Sequence, residues 1–233
     1  MRIGLFGYGK MGKMIEQIAL ERGHSIAAKI DLDTREVAYG SMEVAIDFST
    51  PEAAFDNIAG CFEHGVPVIS GTTGWLDRYP QAVALCGQHK GAFIHATNFS
   101  LGVNIFFELN AHLAKMMSQL EAYKVSMEET HHVQKLDAPS GTAITLAQGI
   151  IANSPYRDWQ LDRAEAGNIP IKSIRQGQVP GTHGIVYESA VDSIEIKHTA
   201  HNREGFALGA VVAAEWILGK TGTFSMKDVL QLN

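Results

Sequence analysis

The chain has 233 residues, 45% apolar and 19% charged, enough to bury a sizeable core in one large domain or two small ones. Its formal net charge is −6, so it gains little from a polyanionic duplex; nucleic acid is not an expected partner, and an anionic ligand must be held by local features. Cys61 and Cys86 form no C-x-x-C pair, no signal segment precedes the first glycine motif and no apolar run has membrane-spanning length, so the chain reads as cytoplasmic with free thiols.

Ile3 to Phe6 is a short apolar run ending at Gly7. Met11, Met14, Ile15, Ile18 and Ala19 then recur at helical spacing, and Gly23 closes that helix. Strands are predicted at 25–30, 44–48, 66–70 and 92–96, with a helix opened by Pro51. Alternating strands and helices imply a Rossmann-like, doubly wound parallel sheet. Beyond residue 100 the pattern changes. A long helix spans 103–117, and residues 121–129 alternate as a half-buried strand. A helix over 143–151 follows, then strands near 171–175, 183–188 and 191–199. The expected organisation is α/β: residues 1–100, completed by 206–233, as a dinucleotide-binding domain, and 101–205 as an α+β domain with a mixed sheet for substrate and oligomerisation.

Gly7-Tyr8-Gly9-Lys10-Met11-Gly12 is a full G-x-G-x-x-G between a strand and a helix. The first glycine suits the tight turn, the second lets backbone approach a pyrophosphate, and the third allows helix to pack on strand. The helix N-terminus supplies N–H groups for phosphates. Asp31, at the end of the second strand, suits the ribose hydroxyls. Gly71-Thr72-Thr73-Gly74 and Ala96-Thr97-Asn98-Phe99 lie at carboxyl ends of later strands, where doubly wound sheets bind ligands. Gly71, Thr72, Thr73 and Ala96 to Phe99 are therefore expected on the nicotinamide side.

The most informative stretch runs from Glu129 to Ala143. It places His131, His132 and Lys135 within five residues, able to donate protons and bind anions. Ser140, Gly141 and Thr142 form a helix start suited to a carboxylate or phosphate. Zinc is not expected: adjacent strand residues such as His131 and His132 point to opposite faces, and no further ligand set completes a site. His183, His198 and His201 read as hydrogen-bonded structural residues.

This H-H-x-x-K-x-D-A-P-S-G-T-A segment resembles the signature of the 4-hydroxy-tetrahydrodipicolinate reductase family. The resemblance extends to Asp47-Phe48-Ser49, Asn98 to Asn104, Arg175-x-Gly177 with Gly181-x-His183, and His198 to Ala210. It implies NAD(P)H-dependent reduction of a cyclic imine dicarboxylate, with loss of water and hydride addition at C4, in lysine and diaminopimelate biosynthesis. His131 would be a proton donor or acceptor and Lys135 a proton donor. His132 would bind substrate, with Gly141 and Thr142 on a substrate carboxylate. Gly7 to Gly12, Asp31, Gly71 to Thr73 and Ala96 to Phe99 would contact the cofactor. The resemblance also implies a homotetramer built on the second domain. Leu32 follows Asp31 where many members carry arginine. NADH is therefore expected to serve at least as well as NADPH, with Lys29 and Lys10 leaving room for both. Two other readings stand beside this one. Another two-domain dehydrogenase of amino acids or sugars would need no His-His-x-x-Lys segment, and a dinucleotide-sensing protein would lack the proton donors.

Overall fold

The computed structural model describes every residue except Leu32, Arg35 and Asn233. Leu32, the position weighed beside the ribose, thus lies outside the described residues. The chain divides into two units, Met1–Leu101 with Glu204–Asn233, and Gly102–Arg203.

The first unit runs β1 (Arg2–Phe6), α1 (Lys10–Glu21), β2 (Ser25–Ile30), β3 (Val44–Asp47), α2 (Pro51–Glu63), β4 (Val68–Ser70), α3 (Tyr79–Gln88) and β5 (Ala92–His95). The chain then builds α4 (Leu101–Met117), β6 (Lys124–His131), α5 (Gly141–Ile151), β7 (Asp158–Leu161), β8 (Asn168–Arg175), β9 (Gly181–Glu188) and β10 (Ser193–Ala200). It ends with α6 (Glu204–Ile217), β11 (Gly222–Phe224) and α7 (Met226–Leu230), which return to the first unit.

The first sheet has the order β11-β5-β4-β3-β1-β2, and every pairing is parallel. Both faces are covered, which is why its strands read as plain apolar runs. Ile3, Leu5, Val44 and Ile46 pack with Ile15 and Ala19 of α1 and Ala210, Ala214 and Ile217 of α6. Phe6, Ala45 and Val68 pack with Phe55, Ile58 and Phe62 of α2 and with Ala82 and Cys86 of α3. Consecutive β1 and β2 are neighbours, but β3 then pairs on the far side of β1. That reversal between β2 and β3 makes the carboxyl ends of β1 and β3 a topological switch point, where such sheets bind ligands.

The second sheet is mixed, with the order β10-β9-β6-β8-β7. β6 pairs antiparallel with β9 and parallel with β8. One face is covered by Phe106, Leu113 and Met117 of α4 and Leu146, Ala147 and Ile150 of α5, packed on Val125, Met127, Ile171 and Ile185. The opposite face presents Ser126, Glu128, Thr130, Lys172, Glu195 and Lys197 around a concavity of about 450 Å³. Among the described residues no helix is long and apolar enough to cross a membrane. Cys61 and Cys86 are buried and free.

Candidate active site

In the first unit, the glycine turn has the shape its sequence suggests. Gly7 sits at φ +85°, where a side chain is strained, and a Cβ there would overlap the Phe48 carbonyl. A Cβ on Gly12 would overlap the Gly7 carbonyl, so α1 could not start so close to β1. Gly9 differs: it is the extended N-cap of α1, a Cβ there would meet nothing within 4 Å, and no acidic residue lies in the first turn. The space in front of Gly9 and the N–H groups of the first turn form a cradle of the right polarity for a pyrophosphate. Lys10 is exposed beside it and Met11 half-buried against the core.

Asp31 follows the last residue of β2 and is exposed; its N–H donates to Thr34 Oγ1 at 3.0 Å. Lys29, expected to share its direction and reach a 2′-phosphate, is engaged elsewhere. Its ammonium lies 2.8 Å from Glu16 and donates to Tyr8 Oη at 2.9 Å, over the Tyr8 ring. Tyr8 Oη in turn donates to Glu16.

At the ends of β3 and β4 the organising residue is Asp47, fully buried. Its Oδ1 accepts from Ser49 Oγ at 2.6 Å and Asn57 Nδ2 at 3.2 Å. Its Oδ2 accepts from Ser70 Oγ at 2.9 Å and Thr72 Oγ1 at 2.8 Å. Burial pushes this carboxyl up while the four donors pull the other way. Thr72 Oγ1 also accepts from the Ser49 N–H at 2.9 Å, so the Thr72 side chain is turned into the fold. A Cβ on Gly71 would run into the Phe48 ring; Thr73 is exposed. Ala96 N donates to Ser70 O at 3.2 Å, and Asn98 Oδ1 accepts from Ser100 N at 2.9 Å. Thr97 is exposed, whereas Phe99 is 1% exposed with its ring in the core against Phe48. Of the loop residues named from sequence, Thr72 and Phe99 therefore offer backbone rather than side chain.

The second unit brings His131, Lys135 and Ser140 to Thr142 together. Alternation on β6 buries Val125, Met127, Glu129 and His131 on one face. That apolar parity ends in a carboxylate and an imidazole, so both side chains enter the region under α5. The strand extends to His131 rather than stopping at Glu129, because His131 pairs with Arg175 of β8. His132 lies just past it, half-buried, with Nδ1 buried and without a protein partner. Lys135 Nζ bonds Asp137 at 2.8 Å. Ser140 is the N-cap of α5: its Oγ accepts from Ala143 N at 3.2 Å and lies 3.1 Å from His183 Nε2. The Ser140 hydroxyl is thus committed to the fold, leaving the exposed Gly141 and half-buried Thr142 to offer the first-turn N–H groups.

Three further residues share this region: Glu129, Arg175, marked in sequence only as a motif match, and His183, read there as a hydrogen-bonded structural residue. Glu129 has no exposed side-chain surface. Ser140 N donates to both its oxygens at 3.1 Å, and Oε1 also accepts from Ser173 Oγ at 2.9 Å and Arg175 Nη2 at 3.2 Å. Arg175 also donates to Lys135 O at 3.2 Å and Asp137 O at 2.6 Å, clasping the loop that carries Lys135. His183 is opposite Glu129 on β9. Burial raises the Glu129 carboxyl, but His183, Ser140 and Ser173 more than offset it and hold it well below the carboxylate range. Burial is the largest influence on His131 and pushes its pKa down to about 4; Glu129 opposes this, while His183, Lys135 and Arg175 reinforce it. Ligand atoms of Glu129, His131 and His183 lie within 4.8 Å of one another. Arg175 supplies positive charge to the same carboxylate through Oε1, while the two imidazoles face Oε2. The signal that could have exposed this cluster is register: on β6 the buried face continues past its apolar residues into Glu129 and His131.

Comparisons with known proteins bear on the family and the fold. Family models described as dihydrodipicolinate reductase, N-terminus and C-terminus, match residues 28–99 and 102–230. The first begins after the glycine turn, whose reading rests on its own geometry. A 4-hydroxy-tetrahydrodipicolinate reductase of Christiangramia forsetii is 58% identical over 233 residues, 99% of this chain and 98% of the relative. One from Neisseria meningitidis is 33% identical over 231 residues, 94% of this chain and 84% of the relative. Among solved structures, a dipicolinate-bound dihydrodipicolinate reductase from Paenisporosarcina sp. TG-14 matches at TM-score 0.78 and 23% identity over 97% of both chains. A probable dehydrogenase from Thermotoga maritima shares the fold at TM-score 0.60 and 10% identity, over 99% of this chain and 93% of that one.

Proposed function

This chain belongs to the dihydrodipicolinate reductase family, and from that premise we propose that it reduces 4-hydroxy-tetrahydrodipicolinate to tetrahydrodipicolinate with NAD(P)H. The observation that carries the reading is local to the second unit: a buried imidazole, a lysine and a helix start converge where a dicarboxylate needs a proton donor and an anion site. The bound nicotinamide supplies the hydride. Gly7 to Gly12 hold its pyrophosphate, Asp31 its ribose, and the loops after β4 and β5 its nicotinamide end.

Gly141 and Thr142 hold one substrate carboxylate by their N–H groups, with the Thr142 hydroxyl beside them. Lys135 and His132 supply polar contacts to the remaining oxygens, and His131 and Lys135 deliver the proton that completes the reduction at carbon. In the resting site His131 is neutral at physiological pH. A dianionic substrate works with Glu129 to favour the protonated ring, so the acid is charged when substrate is present. This also accounts for an acidic chain holding a dianion: the positive features are local.

On cofactor choice, NADH serves at least as well as NADPH. Asp31 suits free ribose hydroxyls, and the ion pair with Glu16 draws Lys29 away from a 2′-phosphate. For assembly, the charged and polar outer face of the second sheet supports a homotetramer, its strands covered by copies of themselves. A biosynthetic reductase of this kind works in the cytoplasm, where its cofactor pool lies. The direct test is loss of reduced-nicotinamide absorbance with enzymatically generated 4-hydroxy-tetrahydrodipicolinate. Turnover dependent on that substrate is expected; its absence with fresh substrate and either cofactor overturns the reading.

A further inference from the structure

His131, given a catalytic role above, stands beside the carboxylate of Glu129. Glu129 is completely buried, a costly place for a charge unless it is well satisfied. One guanidinium would satisfy it. Instead its two oxygens accept from the Ser140 N–H before α5 and from Ser173 and Arg175 on β8, with His183 on β9 and His131 on its own strand each 3.6 Å from Oε2. His131 Nδ1 lies 3.6 Å from Oε2, is buried, and has no other partner. That is about 0.4 Å beyond an ordinary N–H···O bond, the looseness common in sites without substrate. A lone pair on Nδ1 would face a carboxylate at this distance and be repelled; an N–H there is attracted. The carboxylate therefore selects the ring form protonated at Nδ1.

We propose that Glu129 is the positioning residue of the site: it orients His131 through Nδ1 so that Nε2 exchanges the proton, and it fixes the carboxylate-binding start of α5 through the Ser140 N–H. This rests on the reductase reading for what the proton is used for, though not for the ring's orientation. Nε2 is the nitrogen on the Gly181 side, where a Cβ would sit 3.1 Å away; glycine there keeps the edge open. The charged or titratable groups facing His131 are Glu129 on β6, Arg175 on β8, His183 on β9 and Lys135 in the following loop. Glu129 alone among them favours the protonated ring.

The test has two arms. In the wild-type protein, long-range proton–nitrogen correlation of the histidine rings, assigned by the loss of signals in His131→Gln, should show His131 protonated at Nδ1 near neutral pH. The opposite tautomer overturns the proposal. In Glu129→Gln, which keeps an oxygen for the Ser140 N–H, kcat should fall about 10²-fold, in the range general acid–base groups contribute. Its fall toward alkaline pH should also begin at least about one unit lower, while KM changes less than about threefold. An equal loss of kcat at every pH, or a loss confined to KM, makes Glu129 a purely structural residue and overturns the proposal. If the variant does not fold, the wild-type tautomer decides. A wild-type protein that fails to turn over substrate sinks the reductase reading while leaving the tautomer result standing.

Discussion

Acidification should expose the burial of His131 as a loss of folding stability. Its pKa falls from 6.5 to about 4 in the folded chain because burial disfavours the charged ring. A depressed pKa means that the folded state binds the proton less readily than the unfolded one. The stability it provides is complete above 6.5 and drains as pH falls toward 4. The span of 6.5 − 4 = 2.5 units, at about 1.36 kcal/mol each, sets a ceiling of about 3.4 kcal/mol. At about pH 4.5 the linkage relation gives about 2–3 kcal/mol of that. The perturbation is His131→Gln, which removes the titration and keeps a neutral polar side chain. Urea unfolding of both proteins at about pH 7.5 and 4.5 isolates the contribution, because the remaining carboxylates and histidines titrate in both. Wild type should lose about 2–3 kcal/mol more than the variant. Equal losses in the two proteins would refute the reasoning and place His131 in a wetter, less perturbed environment.

Lys135→Met and His131→Ala should each lower kcat by about 10²–10⁴-fold while calorimetry shows dinucleotide binding intact; near-normal kcat in both removes them from proton transfer. Thr142→Val should weaken dipicolinate binding about tenfold, the worth of one lost hydrogen bond, in a calorimetric Kd. kcat/KM should be at least as high with NADH as with NADPH at fixed salt. A hundredfold preference for NADPH, about 2.7 kcal/mol, contradicts the roles given to Asp31 and Lys29. Light scattering at micromolar protein should give the mass of a tetramer, and a monomer at that concentration sinks the assembly proposal.

The parts legible in sequence were those with a local cause. The glycine turn, the buried parallel strands and the cap at Ser140 each follow from residues near one another in the chain. Several short elements were not legible. β7 and β11 have four and three residues, too few for alternation to show, and each exists because a neighbouring strand offers it hydrogen bonds. α3 was hidden because its buried residues are only Ala82 and Cys86. The same distinction holds in the site. His131, Lys135 and Ser140 to Thr142 stand together in sequence and could be named, whereas Ser173, Arg175 and His183 reach Glu129 from β8 and β9, more than forty residues away, and depend on strand register. Lys29 shows the same limit: its strand position was readable, but its ion pair with Glu16 of α1 was not.

Residues 204–233 also bear on how this protein is made. α6 packs Ala210, Ala214 and Ile217 into the core beneath β1 and β3, and β11 forms an outer strand of that sheet against β5. A Cβ on Gly209 would overlap the Phe99 carbonyl, so the helix is fitted closely to the chain it meets. A ribosome must therefore release more than a hundred intervening residues before the first sheet can gain its last strand and cover one of its faces. Gly102–Arg203 has its own core and can fold during that interval, while the earlier segment waits with apolar surface open to chaperones or to other nascent chains. Premature termination just before α6 would leave a folded inserted unit tethered to an unfinished sheet, a product for quality control rather than a smaller enzyme.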